Sequence, residues 1–182
     1  MSPKTGRTII WDYAVTGKDK EISPYSKPGR KLMIRQLNSN EIIKLLGKDF
    51  DSQSIDESKN ELYVSADQLT NVCSILKNSK EASFDLLTCI SGVDYVEYFQ
   101  VVYHLTSTIH KHSCVLKVNL FGRSDLVCPS VYEFWQGADF QEREIWDLLG
   151  IYFEGHPNMK RIFLWDGFEG HPLRRDYLES PR

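Results

Sequence analysis

Long apolar runs are what this chain most clearly lacks. In 182 residues no uninterrupted hydrophobic stretch exceeds a few positions, far short of the roughly 20 needed to cross a bilayer. Any hold on a membrane must therefore come through a partner. A paired-cysteine motif is also missing. Cys73, Cys89, Cys114 and Cys128 form no C-x-x-C, and the nearest two are 14 positions apart. Zinc and iron–sulfur sites cluster their ligands locally, so the spacing argues against either. Each cysteine falls at an apolar position of an expected helix or strand, and all four read as reduced, buried, small hydrophobes of a cytosolic-type compartment. The N-terminus has no secretory apolar region. Pro3, Gly6 and Asp12 break any amphipathic transit helix there. No glycine loop suited to phosphate appears, and no Ser or Cys stands in a nucleophile motif. The body has no basic stripe with interleaved aromatics, which speaks against nucleic acid.

What is present is enough for one domain with arms. Hydrophobic residues make up 41% and aromatics 12%, sufficient for a real core. The net charge of -3 hides an asymmetry. Residues 1–37 hold eight basic and three acidic side chains, hence +5, leaving -8 on the remainder. That segment, punctuated by Pro and Gly and offering only Thr8–Tyr13 as a short strand, reads as an irregular basic arm. Residues 38–153 read as the core and 154–182 as an extended tail.

Periodicity supplies the core elements. A helix is expected over 40–46, capped by Asn38 or Ser39 and stopped by Gly47. Residues 61–64 read as a strand. Ser65 with Gln68 suggests a capping box, followed by Leu69, Val72, Cys73 and Leu76 at helical spacing. Strands are expected over 84–90, 99–106 and 114–121, with Gly92-Val93-Asp94 as the turn between the first two. His104, His110 and His112 fall near the second strand and its loop, with no carboxylate beside them, and read as solvated. Ser130 with Glu133 suggests a short capped turn. Asp139 with Glu142 suggests a capping box for a helix over 140–149, ended by Gly150, with Phe140, Ile145, Trp146, Leu148 and Leu149 on its buried side. Residues 151–153 are extended. The expected class is α+β: a mostly antiparallel sheet covered by helices on one face.

The densest polar region runs from Gly137 to Tyr177. On the last helix, Glu144 and Asp147 share a side, while Asp139, Glu142 and the remaining acids read as caps and solvated surface. Asp147 lies near the helix C-terminus, where a negative charge is unfavourable unless paired. It therefore calls for Arg161, Arg174 or Arg175 of the tail. The tail carries Gly-His-Pro twice, at 155–157 and 170–172, and each proline holds its histidine extended. A free-standing metal-dependent hydrolase using His156, Asp166, His171 and Asp176 is one chemical alternative. The other is a surface built to lie against a partner.

These same residues resemble a known family. Glu142-Arg143-Glu144, Asp147-Leu148-Leu149-Gly150-Ile151, Phe153, Gly155-His156-Pro157, Arg161-Ile162 and Gly170-His171-Pro172-Leu173-Arg174-Arg175-Asp176-Tyr177 are similar to the signature of the respiratory complex I 30 kDa subunit family of NADH–quinone oxidoreductase. The likeness runs ungapped from Pro129 to Tyr177 and more loosely back to Gly92; Arg175 stands where Lys is common. The resemblance implies a chain without catalytic residues, cofactor or metal of its own. Iron–sulfur clusters and quinone belong to partner subunits. It implies packing against the larger quinone-site subunit of the hydrophilic arm, peripheral to the cytoplasmic side of a bacterial inner membrane. It further implies a partner interface through Glu142, Arg143, Glu144, Asp147, His156, Arg161, His171, Arg174, Arg175 and Asp176, with Trp146, Phe153, Trp165 and Phe168 as aromatic anchors. The equivalent subunit of a membrane-bound hydrogenase or ferredoxin-type oxidoreductase shares these features and is the alternative within the superfamily.

Overall fold

A computed structural model describes residues 33–47 and 61–178. The expected strand Thr8–Tyr13 lies outside them. Three long strands form the centre: β3 (Leu86–Tyr95), β4 (Tyr98–Ser107) and β5 (His112–Phe121). They pair antiparallel, β3 with β4 and β4 with β5. Two short strands, β1 (Arg35–Gln36) and β2 (Leu62–Tyr63), both run parallel along the far edge of β5, end to end. Arg35 and Gln36, which the sequence places in the arm, thus belong to the sheet. The second sheet is a parallel pair, β6 (Val127–Pro129) with β7 (Tyr152–Glu154). Parallel neighbours need a crossover, and helix α3 (Ala138–Leu149) provides it.

Alternation fixes the buried face. Phe99, Val101, Tyr103 and Leu105 of β4 and Cys114, Leu116 and Val118 of β5 are almost wholly buried. Successive side chains of a strand point to opposite faces, so these residues form one surface. Helix α2 (Ala66–Asn78) turns Leu69, Val72, Cys73 and Leu76 into the same core. Helix α1 (Ser39–Leu46) adds Ile42 and Leu46. The sheet is mostly antiparallel and the class is α+β, as expected. Cys73, Cys114 and Cys128 are buried, whereas Cys89 is only half-buried.

Several local expectations change. Asn38 caps α1 in a full capping box with Glu41, but Ser65 makes no side-chain cap on α2. Gly92-Val93-Asp94 is not a turn. β3 continues to Tyr95 and turns over Val96 and Glu97. Gly92 is a packing residue: a Cβ there would lie 2.6 Å from Leu149 Cδ1 and 3.0 Å from Ile145 Cγ2. Its missing side chain lets α3 lie close on the sheet. Of the expected Ser130 and Glu133 box, only Ser130 acts, its Oγ accepting from the Tyr132 amide. His110 and His112 are not simply solvated, because their Nε2 atoms lie 2.8 and 2.9 Å from the carbonyls of Lys80 and Ala82.

Candidate functional site

Helix α3 organises the region rich in ionisable groups, and two of its four acids, Glu142 and Asp147, are buried rather than surface charges. Gly137 stands at the N-cap with no side-chain bond, so Asp139 and Glu142 form no capping box. Glu142 is wholly buried. Ser130 Oγ donates to it at 2.6 Å and the Val131 amide at 2.8 Å, tying α3 to the segment after β6. Burial pushes its carboxyl up to about 7, against the opposing pull of those two bonds. Phe140, expected inside, is 66% exposed.

Asp147, also wholly buried, is the node of the tail. Its Oδ2 accepts from the amides of Ile162, Phe163 and Leu164 at 3.0, 2.9 and 3.0 Å. Its Oδ1 accepts from Arg161 at 2.6 Å. Burial alone would raise this carboxyl. The amides of Leu164 and Phe163, the Arg161 guanidinium and the Ile162 amide outweigh it and hold the group down at about 2. The partner inferred from the macrodipole is therefore Arg161, together with three amides that no charge argument could name. Arg161 also donates to the carbonyls of Phe168 and Gly170 and lies over the rings of Trp146 and Phe168.

The two Gly-His-Pro units use one device twice. Gly155 and Gly170 take left-handed φ of 84° and 81°, a conformation that glycine adopts without strain. Each following histidine then turns back to a carbonyl of α3. His156 Nε2 lies 3.3 Å from the Asp139 carbonyl, and its Nδ1 accepts from the Asn158 amide. His171 Nδ1 lies 2.9 Å from the Asp147 carbonyl. His171 also packs on Gly150, where an added Cβ would come within 2.6 Å of the ring. The Leu173 amide donates to the Leu148 carbonyl. The last turn of a helix leaves carbonyls without partners, and the tail supplies donors for them. Asp139 and Asp147 stand eight positions apart, about 12 Å along the helix, so the two histidines engage opposite ends of α3. Asp176 is tied to arginines elsewhere. The four residues of the hydrolase alternative do not converge.

A second anchor was not legible in the sequence. Asp94, buried on β3, receives both terminal nitrogens of Arg123, at 2.5 and 2.9 Å. It also accepts from the Arg175 amide at 2.9 Å. The Arg123 hydrogen bonds hold its carboxyl below the usual range, against burial. Arg123 reaches Asp176 as well, and Arg174 closes the cluster on Asp176. Both guanidinium groups lie over Phe99. Only the separation of 29 positions between Asp94 and Arg123 hid the pair; nothing local marks it.

The ten residues expected at an interface thus divide. Glu142 and Asp147 lie wholly inside the chain, so any part they take in an interface is indirect. His156 is buried, and Arg143, Arg161, His171, Arg174 and Asp176 hydrogen-bond within the chain. Glu144 and Arg175 are exposed. Of the expected aromatic anchors Phe153 is interior, while Trp165 is 67% exposed. Phe163, Leu173 and Leu178 join it, at 63, 60 and 88%.

Comparison with known proteins decides the family. Residues 62–182 match the family described as respiratory-chain NADH dehydrogenase, 30 Kd subunit. The chain belongs to that family. The C subunit of NADH-quinone oxidoreductase from Acidithiobacillus ferrooxidans is 38% identical over 142 residues, covering 72% of this chain and 69% of that protein. Its counterpart from Roseiflexus castenholzii is 40% identical over 118 residues, covering 63% of this chain and 67% of that protein. Among solved structures, the membrane-bound sulfane sulfur reductase, an archaeal respiratory membrane complex, contains a chain that superposes with TM-score 0.63 at 27% identity. The superposition covers 76% of this chain and 84% of that one. Among the described residues no helix of this family member is long and apolar enough to cross a membrane.

Proposed function

We propose that the chain is a non-redox structural subunit of the hydrophilic arm of a proton-translocating quinone oxidoreductase fed by NADH or another donor. It packs against the larger quinone-site subunit and carries no redox cofactor. Iron–sulfur clusters and quinone reside in its partners. Its place is peripheral, on the cytoplasmic side of a bacterial inner membrane, reached only through the complex. The observation that carries this reading is the tail. Two buried carboxylates hold its main chain in one path, yet Phe163, Trp165, Leu173 and Leu178 remain turned to solvent. Exposed apolar groups on an ordered strap suit a partner surface. A rigid presentation also lowers the entropy lost on association.

The test is co-purification of the tagged chain from detergent-solubilised membranes. The quinone-site protein and iron–sulfur subunits are expected with the unaltered chain. Trp165→Asp should weaken the association, on the order of thirtyfold for a hot-spot aromatic costing ~2 kcal/mol. Full recovery of the partners with Trp165→Asp would sink the reading. The likeness to the sulfane sulfur reductase chain favours one second reading, the equivalent subunit of a hydrogenase- or sulfur-reductase-type membrane complex. Nickel-ligating cysteine pairs in the co-purified large subunit would mark the hydrogenase branch.

A further inference from the structure

Among the described residues the main sheet ends at β3, whose outer side pairs with no strand. Along an antiparallel strand the N–H and C=O of one residue point the same way, and the direction alternates. The Ile90 amide donates not to β4 but to Gln141 Oε1 of α3, at 2.6 Å. Gly92, two positions on, shares that outward direction. Both backbone groups of Gly92 therefore form a short open edge, while Gln141 occupies the Ile90 amide and the Cys89 thiol lies 3.6 Å from the Ile90 carbonyl. Unpaired edges are templates for a further strand.

A groove of about 320 Å³ runs beside this edge. Cys89, Ile90, Ser91 and Gly92 line one wall. Four consecutive residues of a strand can line one groove only if it follows the strand's edge rather than a face. The other wall is Gln141, Glu144, Ile145, Leu148 and Leu149, one face of α3 at i, i+3, i+4, i+7 and i+8, and Leu173 of the tail joins the lining. A strand edge beside a helix, with a groove between them, is the geometry in which an extended peptide gains main-chain hydrogen bonds and side-chain pockets together. The chemistry of the groove defines the occupant. Ile145, Leu148 and the exposed Leu173 suit an apolar side chain. Glu144 is the acid of α3 to which no described residue supplies an ion pair or hydrogen bond, whereas Arg143 lies 3.8 Å from Asp139 and both Glu142 and Asp147 are hydrogen-bonded. It suits a lysine or arginine.

We propose that β3 and α3 form a docking groove in which an extended segment of a partner subunit, apolar with an adjacent basic residue, adds as a strand to the free edge of β3. The inference rests on the assembly reading above, since the strand comes from a partner subunit. It adds a second attachment, distinct from the aromatic tail.

Amide hydrogen exchange, read residue by residue in the full chain alone and in the complex isolated from membranes, tests it. In the free chain the Gly92 amide is expected to exchange rapidly. In the complex it should slow on the order of tenfold or more, together with the tail around Trp165. Slowing of the tail with Gly92 unchanged overturns the docking groove and leaves the assembly reading standing. No change at either site overturns both. A Glu144→Lys chain, altered at an exposed position, should lose most of the slowing at Gly92 while the tail remains slowed. Undiminished slowing at Gly92 in that variant refutes the charge-matched groove.

Discussion

Replacing Asp147 by Asn keeps the shape of the side chain and removes its charge. The Oδ1 of Asn can still accept from the amides of Ile162, Phe163 and Leu164. Its Nδ2 must then face Arg161, donor against donor, where the aspartate oxygen sat at 2.6 Å. Arg161 keeps only 16% of its side chain exposed, so its charge is left poorly solvated. Removing one member of a buried ion pair costs about 3–5 kcal/mol. Proton linkage gives an independent scale. A carboxyl with an ordinary value of 3.8, held at about 2 in the fold, represents ~2.5 kcal/mol at 1.36 kcal/mol per pH unit. The folded value lies below the unfolded one. The stabilisation is therefore fully present above pH ~4 and is lost as pH falls towards ~2. Urea denaturation of the chain should show Asp147→Asn destabilised by about 3 kcal/mol at pH 7. The penalty should shrink as the unaltered protein is acidified through that window. Arg161→Met should be costly too, and the double variant should cost less than the sum, with a coupling of ~1–3 kcal/mol. A loss below ~1 kcal/mol for Asp147→Asn, the level of an exposed ion pair, would refute the account of the tail anchor.

Glu142 has the opposite sign. Its carboxyl rises from the ordinary 4.5 to about 7, so its contribution is full below pH ~4.5 and lost as pH rises through ~7, worth ~3 kcal/mol. Glu142→Gln should remove that slope, seen as a smaller difference between denaturation midpoints at pH 5 and pH 8. Gly92→Val should cost about 1–3 kcal/mol by overpacking against Leu149 and Ile145, and an unchanged midpoint would contradict the close approach of α3 to β3. Gly150→Ala should cost at least ~1 kcal/mol for the left-handed backbone alone. It should also displace His171, quickening exchange at the Leu173 amide.

Helix α2 was legible because its apolar residues recur at one period, and the three central strands because β-rich runs alternate between turns. What failed were inferences from short patterns. Gly92-Val93-Asp94 has turn chemistry, but the glycine is there to admit α3 and the aspartate to hold Arg123. Both reasons lie across the fold from the residues themselves. Asp139 with Glu142 has the spacing of a capping box, yet Glu142 faces inward to Ser130 and Val131, and spacing does not report which way a helix faces. Asp147 was the productive case. Electrostatics at a helix C-terminus required a cation, and the tail offered three. The choice of Arg161 and the three amides depends on the path of the tail, which three left-handed glycines, Gly155, Gly167 and Gly170, and two prolines set without any periodic signal.

Two of the buried carboxylates, Asp147 and Asp94, hold the tail largely by its backbone. Asp147 takes the amides of residues 162–164 and Asp94 that of residue 175. Every amino acid except proline offers the same N–H. The side chains at Phe163 and Arg175 can therefore change without altering the course of the strap beneath them. At these outward positions attachment is written in backbone atoms and surface character in side chains, so a relative could acquire a new partner by substituting them alone, with proline the one replacement that each of the bonded amides excludes.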